Sequence, residues 1–242
     1  MNLIEKFSAK AQDIHGEKPI TIAFLGDSGT QGCFECYMKN ERNIETVFDY
    51  KSAYSTRFRE LFNLLYPSVQ LNIINSGISG DTAKRGKERM KRDVLAYNPD
   101  AIVVSYGLND ASLGDTAGIL EYAENLREIF KTSKQNGAEL IYLTEWTACD
   151  RLSPHLKDEP LKEIASKMIK REQEGVIHAY FEAGKKVAKE EGVKICDMYA
   201  IWEKMRSSGV NTTELLANKI NHPLREFHYY IAIKLLETIF EI

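Results

Sequence analysis

Between Ile20 and Gly32 the chain reads ITIAFLGDSGTQG, an apolar run that stops abruptly at Gly-Asp-Ser and continues in small polar residues. A serine just past the carboxyl end of a buried strand, at a strand-to-helix turn, holds its hydroxyl among free backbone N–H groups. That suits a nucleophile and part of an oxyanion hole. Gly26, Gly29 and Gly32 keep such a turn tight and let a substrate approach the backbone. Two phosphate-binding patterns fail here. A P-loop needs a lysine after its last glycine, and Cys33 follows Gly32; the dinucleotide pattern needs a different glycine spacing. Plain turn punctuation is the competing explanation for one such motif, since glycine and serine are common turn residues.

Three later segments carry the chemistry further. NSGISGDT (residues 75–82) gives a glycine-rich turn in which Gly80 can present its N–H to a developing oxyanion. YGLND (residues 106–110) brings the Asn109 amide to the same end of a sheet, and NKINHPLREFHYY places His222 in a loop before the last helix. Together they suit acyl transfer: Ser28 attacks an ester carbonyl, and His222 takes its proton and returns it to the leaving alcohol. The Ser28 N–H, the Gly80 N–H and the Asn109 amide hold the oxyanion, while Asp27 fixes the serine turn by accepting backbone N–H bonds. His15, His155, His178 and His228 read as structural or solvated.

The four blocks, GDSGTQG, NSGISGDT, GLND and NHP, stand in order from Gly26 to Pro223, and the sequence resembles the SGNH, or GDSL-type, hydrolases. The resemblance implies a flavodoxin-like three-layer α/β/α sandwich with parallel strands in the order 2-1-3-4-5. It also implies ester hydrolysis through an acyl-enzyme, with no metal or other cofactor. One block departs from the family. Where an aspartate normally stands three residues before the histidine, this chain has Lys219, which cannot accept from an imidazole N–H. Three arrangements remain open. A backbone carbonyl orients His222, another acid such as Glu145 or Asp197 does so, or the fold serves binding without catalysis.

The elements that must position these residues are readable as apolar runs at Ile20–Leu25, Val69–Asn75, Ala101–Ser105, Glu139–Thr144 and Val193–Asp197. They are rich in Ile, Val and Leu without clean alternation, as strands buried on both faces are. Helical spacing marks Ser52–Tyr66, Asp81–Tyr97, Ala117–Gln135 and Arg225–Phe240, and Leu161–Glu191 as one long helix or two joined near Gly175. Strand then helix, repeated, predicts an α/β domain whose chemistry lies outside the carboxyl ends of the strands. With no linker and no internal repeat, residues 1–242 read as one domain. The charged run KRGKERMKRD reads as a solvated helix face.

Composition limits the alternatives. The 242 residues are 43% hydrophobic and 28% charged with a net charge of −3, so no overall basic field draws nucleic acid. Neither a signal peptide nor a membrane span is evident, and the expected location is the cytoplasm. Cys33 and Cys36 form a lone CxxC; with Cys149 and Cys196 isolated, all four read as ordinary reduced thiols rather than zinc ligands. The long segment Cys33–Tyr50 is expected to wall the pocket with Phe34, Tyr37, Phe48 and Tyr50, opposite Trp146 and the loop to Pro160. The absence of a long apolar lid favours a small acyl group, acetyl first, on an acylated sugar. A non-catalytic ligand-binding module on the same fold is the rival reading. Oligomeric state is not legible.

Overall fold

A computed structural model describes residues 1–41 and 43–242. In chain order the strands are β1 (Ile20–Gly26), β2 (Cys33–Met38), β3 (Ile44–Phe48), β4 (Leu71–Gly77), β5 (Ala101–Ser105), β6 (Glu139–Thr144) and β7 (Lys194–Asp197). The helices are α1 (Leu3–Gln12), α2 (Ser28–Gln31), α3 (Tyr54–Leu65), α4 (Ala83–Asp93), α5 (Leu108–Leu113), α6 (Gly118–Gln135), α7 (Glu159–Gln173), α8 (Val176–Glu190), α9 (Met198–Ser207) and α10 (Arg225–Phe240). Five strands make a parallel sheet ordered β4-β1-β5-β6-β7, which is the order 2-1-3-4-5 when these five are counted along the chain.

The sheet lies between two helical layers. Helices α1, α3 and α10 pack together on one side, and α4, α6 and α8 on the other. Phe7 of α1 ties the first layer together, with its ring 4.8 Å from Phe62 and 6.3 Å from Phe240. Strands β1 and β5 are central, and Ile22, Phe24, Leu25, Ile102 and Val104 are wholly buried. Each such side chain contributes about 2 kcal/mol relative to exposure. The turn after β1 therefore hangs from the best anchored strand. Edge strands β4 and β7 are only partly covered. Among the described residues no helix is long and apolar enough to cross a membrane.

All five strands end at one edge. Gly26 pairs with Gly77 on one side and Ser105 on the other, and Thr144 pairs with Asp197. The chain leaves β1 between two neighbours whose connections run in opposite directions, which opens a crevice at the carboxyl ends.

Several boundaries differ from expectation for local reasons. Strand β4 starts at Leu71 because Val69 donates to Tyr66 in a turn that closes α3. The expected helix Asp81–Tyr97 stops at Asp93, followed by one 3₁₀ turn that ends on Asn98 at φ +47°. Residues 161–191 form two helices, broken at Gly175 with φ +71°. The segment Cys33–Tyr50 is not an open loop: β2 and β3 pair antiparallel in a separate hairpin.

Close approach of backbones fixes the height of the serine turn. A Cβ at Gly77 would lie 2.2 Å from the Gln31 nitrogen and 2.6 Å from its Cα, both backbone atoms of α2. Backbone cannot swing aside like a side chain. Gly77→Ala is therefore expected to destabilise the fold by about 2–3 kcal/mol and to lower activity with it. Urea unfolding of the variant checks this, and an unchanged midpoint would contradict the close contact.

Candidate active site

Strand β1 ends at Gly26, and Asp27 caps the single-turn helix α2 by accepting the Gly29 N–H at 3.0 Å. Gly32, at φ +94°, ends that helix after one turn. Ser28 is its first residue, so its N–H has no helical partner. Gly29 leaves space for the Trp146 ring: a Cβ there would come within 2.5 Å of it. Trp146 in turn donates from Nε1 to the Asn221 carbonyl at 2.7 Å, which joins the serine turn to the histidine loop.

That loop is organised by Asn218. Its Oδ1 accepts three backbone N–H bonds, from Ile220, Asn221 and His222, at 3.0, 2.9 and 2.9 Å. Ala217 donates to the His222 carbonyl at 2.6 Å, and Leu216 and Pro223 form a bridge. The His222 ring thereby reaches back over the end of β1. Its Nε2 lies 3.1 Å from Ser28 Oγ, and its Nδ1 lies 2.9 Å from the Phe34 carbonyl oxygen. A carbonyl only accepts, so Nδ1 carries the hydrogen. The neutral ring then offers Nε2 as an acceptor to the serine hydroxyl, the tautomer a general base requires.

The Phe34 carbonyl therefore occupies the position an acid would take. Lys219 lies at φ +58° and bonds Glu214 at 3.0 Å, through both its carbonyl and its carboxylate, away from the imidazole. Glu145 accepts from the Leu108 N–H at 2.7 Å, and Asp197 accepts from Thr144 and Ala200 and pairs with Lys185. Neither acid bonds His222. The hairpin that presents Phe34 is braced by Arg225, whose guanidinium stands 4.3 Å above the Phe34 ring and pairs with Glu35 and Asp49. Burial holds the His222 imidazole down at about 4, with the Phe34 hydrogen bond and the Glu35 charge opposing that shift only in part.

The expected oxyanion donors differ in state. Gly80 is exposed at φ +75°, in a turn closed by the Asp81 N–H on the Ile78 carbonyl at 3.1 Å. Among the described residues nothing lies within 4 Å of where a Cβ would stand, so the backbone here is open. Asn109, on α5, spends both amide hydrogens inside the protein, on Asp27 Oδ2 at 2.8 Å and on the Asp81 carbonyl at 3.0 Å. Asp27 is thus more than a turn cap: it also holds Asn109.

Residues 24–228 match the model of the GDSL-like lipase/acylhydrolase family. This chain belongs to that family. Its sequence is 33% identical to an acetylxylan esterase of Geobacillus stearothermophilus over 95 residues, 39% of this chain and 40% of that protein. The chain spans less than half the length of the curated relatives it matches. Among solved structures, one described as a GDSL-like lipase from Parabacteroides merdae ATCC 43184 superposes with a TM-score of 0.69 at 20% identity, covering 92% of this chain and 96% of that one. An acetyl-xylooligosaccharide esterase from Geobacillus superposes at 0.65 and 21% identity, covering 91% and 94%. Likenesses at that identity establish the fold. On this GDSL scaffold, sequence reasoning left open what holds the histidine, because a backbone carbonyl carries no side-chain signature.

The remaining residues read from sequence fall in varied places. Phe34 is buried, packed under Arg225 and 4.8 Å from the His228 ring, rather than lining a wall. Tyr37, Phe48 and Tyr50 are about half exposed on or beside the hairpin. His178 bonds the Tyr199 hydroxyl at 3.2 Å, and His228 is buried in α10, accepting from the Tyr54 N–H at 3.0 Å. All four cysteines are free, and burial pushes the Cys33, Cys149 and Cys196 thiols up to about 12, which leaves them inert.

Proposed function

We propose that this chain is a serine-dependent hydrolase of small acyl esters, acetyl first, borne on carbohydrate alcohols. The observation that carries the reading is the Ser28–His222 contact of 3.1 Å with the opposite ring nitrogen held by the Phe34 carbonyl. Ser28 Oγ bonds the ester carbonyl carbon as its proton passes to His222 Nε2. The Ser28 and Gly80 N–H groups receive the oxyanion, joined by the Asn109 amide, which shares a hydrogen with the oxyanion while Asp27 keeps it in place. Collapse breaks the C–O bond to the alcohol, which leaves with the proton from His222. Water, deprotonated by the same ring, then frees the acid and restores Ser28.

Small size is supported by the closeness of the site, where Ser28 and His222 are only 5% and 6% exposed. A sugar alcohol is supported by the neighbouring aromatics. Tyr50 meets Gln31 of the serine helix through its hydroxyl at 3.3 Å, and its ring lies 6.5 Å from Phe48, inclined at 20°. Sugar rings pack on such exposed aromatic faces, and the sequence relative acts, by its name, on acetylated xylan.

A p-nitrophenyl ester series from acetate to decanoate tests the acyl size. The rate is expected to fall at least tenfold from acetate to decanoate. Faster hydrolysis of decanoate would overturn the small-acyl reading. The lysine at position 219 and the occupied Asn109 amide favour a second reading, a binding module without turnover. Equal background rates in wild type and Ser28→Ala with every ester would select it.

A further inference from the structure

Beneath the serine turn lies a second buried polar system that the proposed reaction does not use directly. Glu145 and Asp27 are 1% and 3% exposed, and their carboxyl groups hydrogen-bond each other. Two carboxyls can bond only if one proton lies between them. Each also anchors a different block of the site. Glu145 accepts the Leu108 N–H at 2.7 Å, where α5 begins just before Asn109. Asp27 accepts the Gly29 N–H at 3.0 Å, beside Ser28, and the Asn109 amide at 2.8 Å.

Resting on the proposed esterase reading, we propose that Glu145 is a positioning residue: it shares one proton with Asp27 and through that bond sets the serine turn and Asn109 relative to each other. With the proton on Glu145, Asp27 is a carboxylate receiving donors from Glu145, Gly29 and Asn109. Loss of the proton sets two anions against each other in a dry site and forces the turn apart. A second proton removes the charge that holds Asn109. The pair thus works between two limits, with Asp27 raised to about 6 by burial and Glu145 raised well above the ordinary carboxyl range by burial and by the Asp27 charge. Asp81 faces Asp27 and Asp110 faces Glu145, and each opposes a further negative charge on its neighbour, while the nearby phenols of Tyr54, Tyr122 and Tyr142 are kept neutral by burial and by these acids.

Glu145→Gln supplies an N–H to Asp27 and an oxygen to Leu108 without a titrating proton, whereas Glu145→Ala supplies neither. The glutamine variant is expected to keep kcat within about fivefold of wild type and to lose the decline of activity at high pH; the alanine variant is expected to fall at least thirtyfold. Equal loss in both variants, or wild-type behaviour in both including the alkaline decline, would overturn the role. An infrared difference spectrum of wild type minus Glu145→Gln at pH 7 tests the shared proton without turnover. A neutral carboxylic acid band is expected in that difference, and the same band is expected to persist in Ser28→Ala. Its absence rejects the shared proton even if the enzyme is active. Its presence in a protein with no Ser28-dependent hydrolysis would fault the esterase reading alone.

Discussion

Ser28→Ala is expected to cut kcat for p-nitrophenyl acetate by about 10⁴-fold or more while the protein folds normally. The loss follows from chemistry: without Oγ no acyl-enzyme forms, and only the N–H donors and binding remain to accelerate attack by water. In barrier terms that is about 5–6 kcal/mol. Folding is expected to survive because, among the described residues, Ser28 Oγ bonds only His222, and α2 is held by backbone bonds from Gln31 to Asp27 and from Gly32 to Ser28. Circular dichroism and esterase assay on one preparation separate the two. A loss below tenfold with the fold intact would remove Ser28 from the chemistry.

His222→Ala is expected to cost about 10³-fold or more in kcat. The pH profile then tells how the remaining base is poised. Burial favours the neutral imidazole, so the base form persists as pH falls, down to about 4 instead of the ordinary 6.5. The carboxyl pair takes its second proton earlier, with Asp27 near 6. Wild-type kcat/KM is therefore expected to fall in two steps on acidification, a partial one near pH 6 and a complete one toward pH 4. Glu145→Gln is expected to move the first step and leave the second. One complete loss centred near 6.5 would mean an imidazole in water, contrary to the observed burial.

The parallel sheet was legible because its central strands are wet on neither face, so Ile, Val and Leu run without alternation through Ile20–Leu25 and Ala101–Ser105. The β2–β3 hairpin was hidden. It stands outside that sheet, has a register shift between Cys33 and Cys36, and bears charged and aromatic side chains to solvent. Helices α5 and α9 are short and begin at strand ends, where their residues merge with the loop signal. Ser28 and His222, which the structure brings together, could be named from their blocks, and so could Asn109, which it ties to Asp27. What surrounds them could not. The Phe34 carbonyl is reached only once the hairpin folds over the histidine loop, and Asn218 acts through its amide oxygen on three successive N–H groups. The occupied Asn109 amide and the Glu145–Asp27 bond arise from contacts between segments far apart in the chain, which no local spacing encodes.

The reaction with a small organophosphorus ester such as diethyl p-nitrophenyl phosphate, followed by peptide mapping, interrogates the convergence most directly. A hydroxyl made nucleophilic by an adjacent neutral imidazole takes one phosphoryl group, with loss of activity in step, and His222→Ala slows it by orders of magnitude. Ester hydrolysis that continues with Ser28 unmodified, or labelling that ignores the loss of the imidazole, would show that this pair is not the reacting centre.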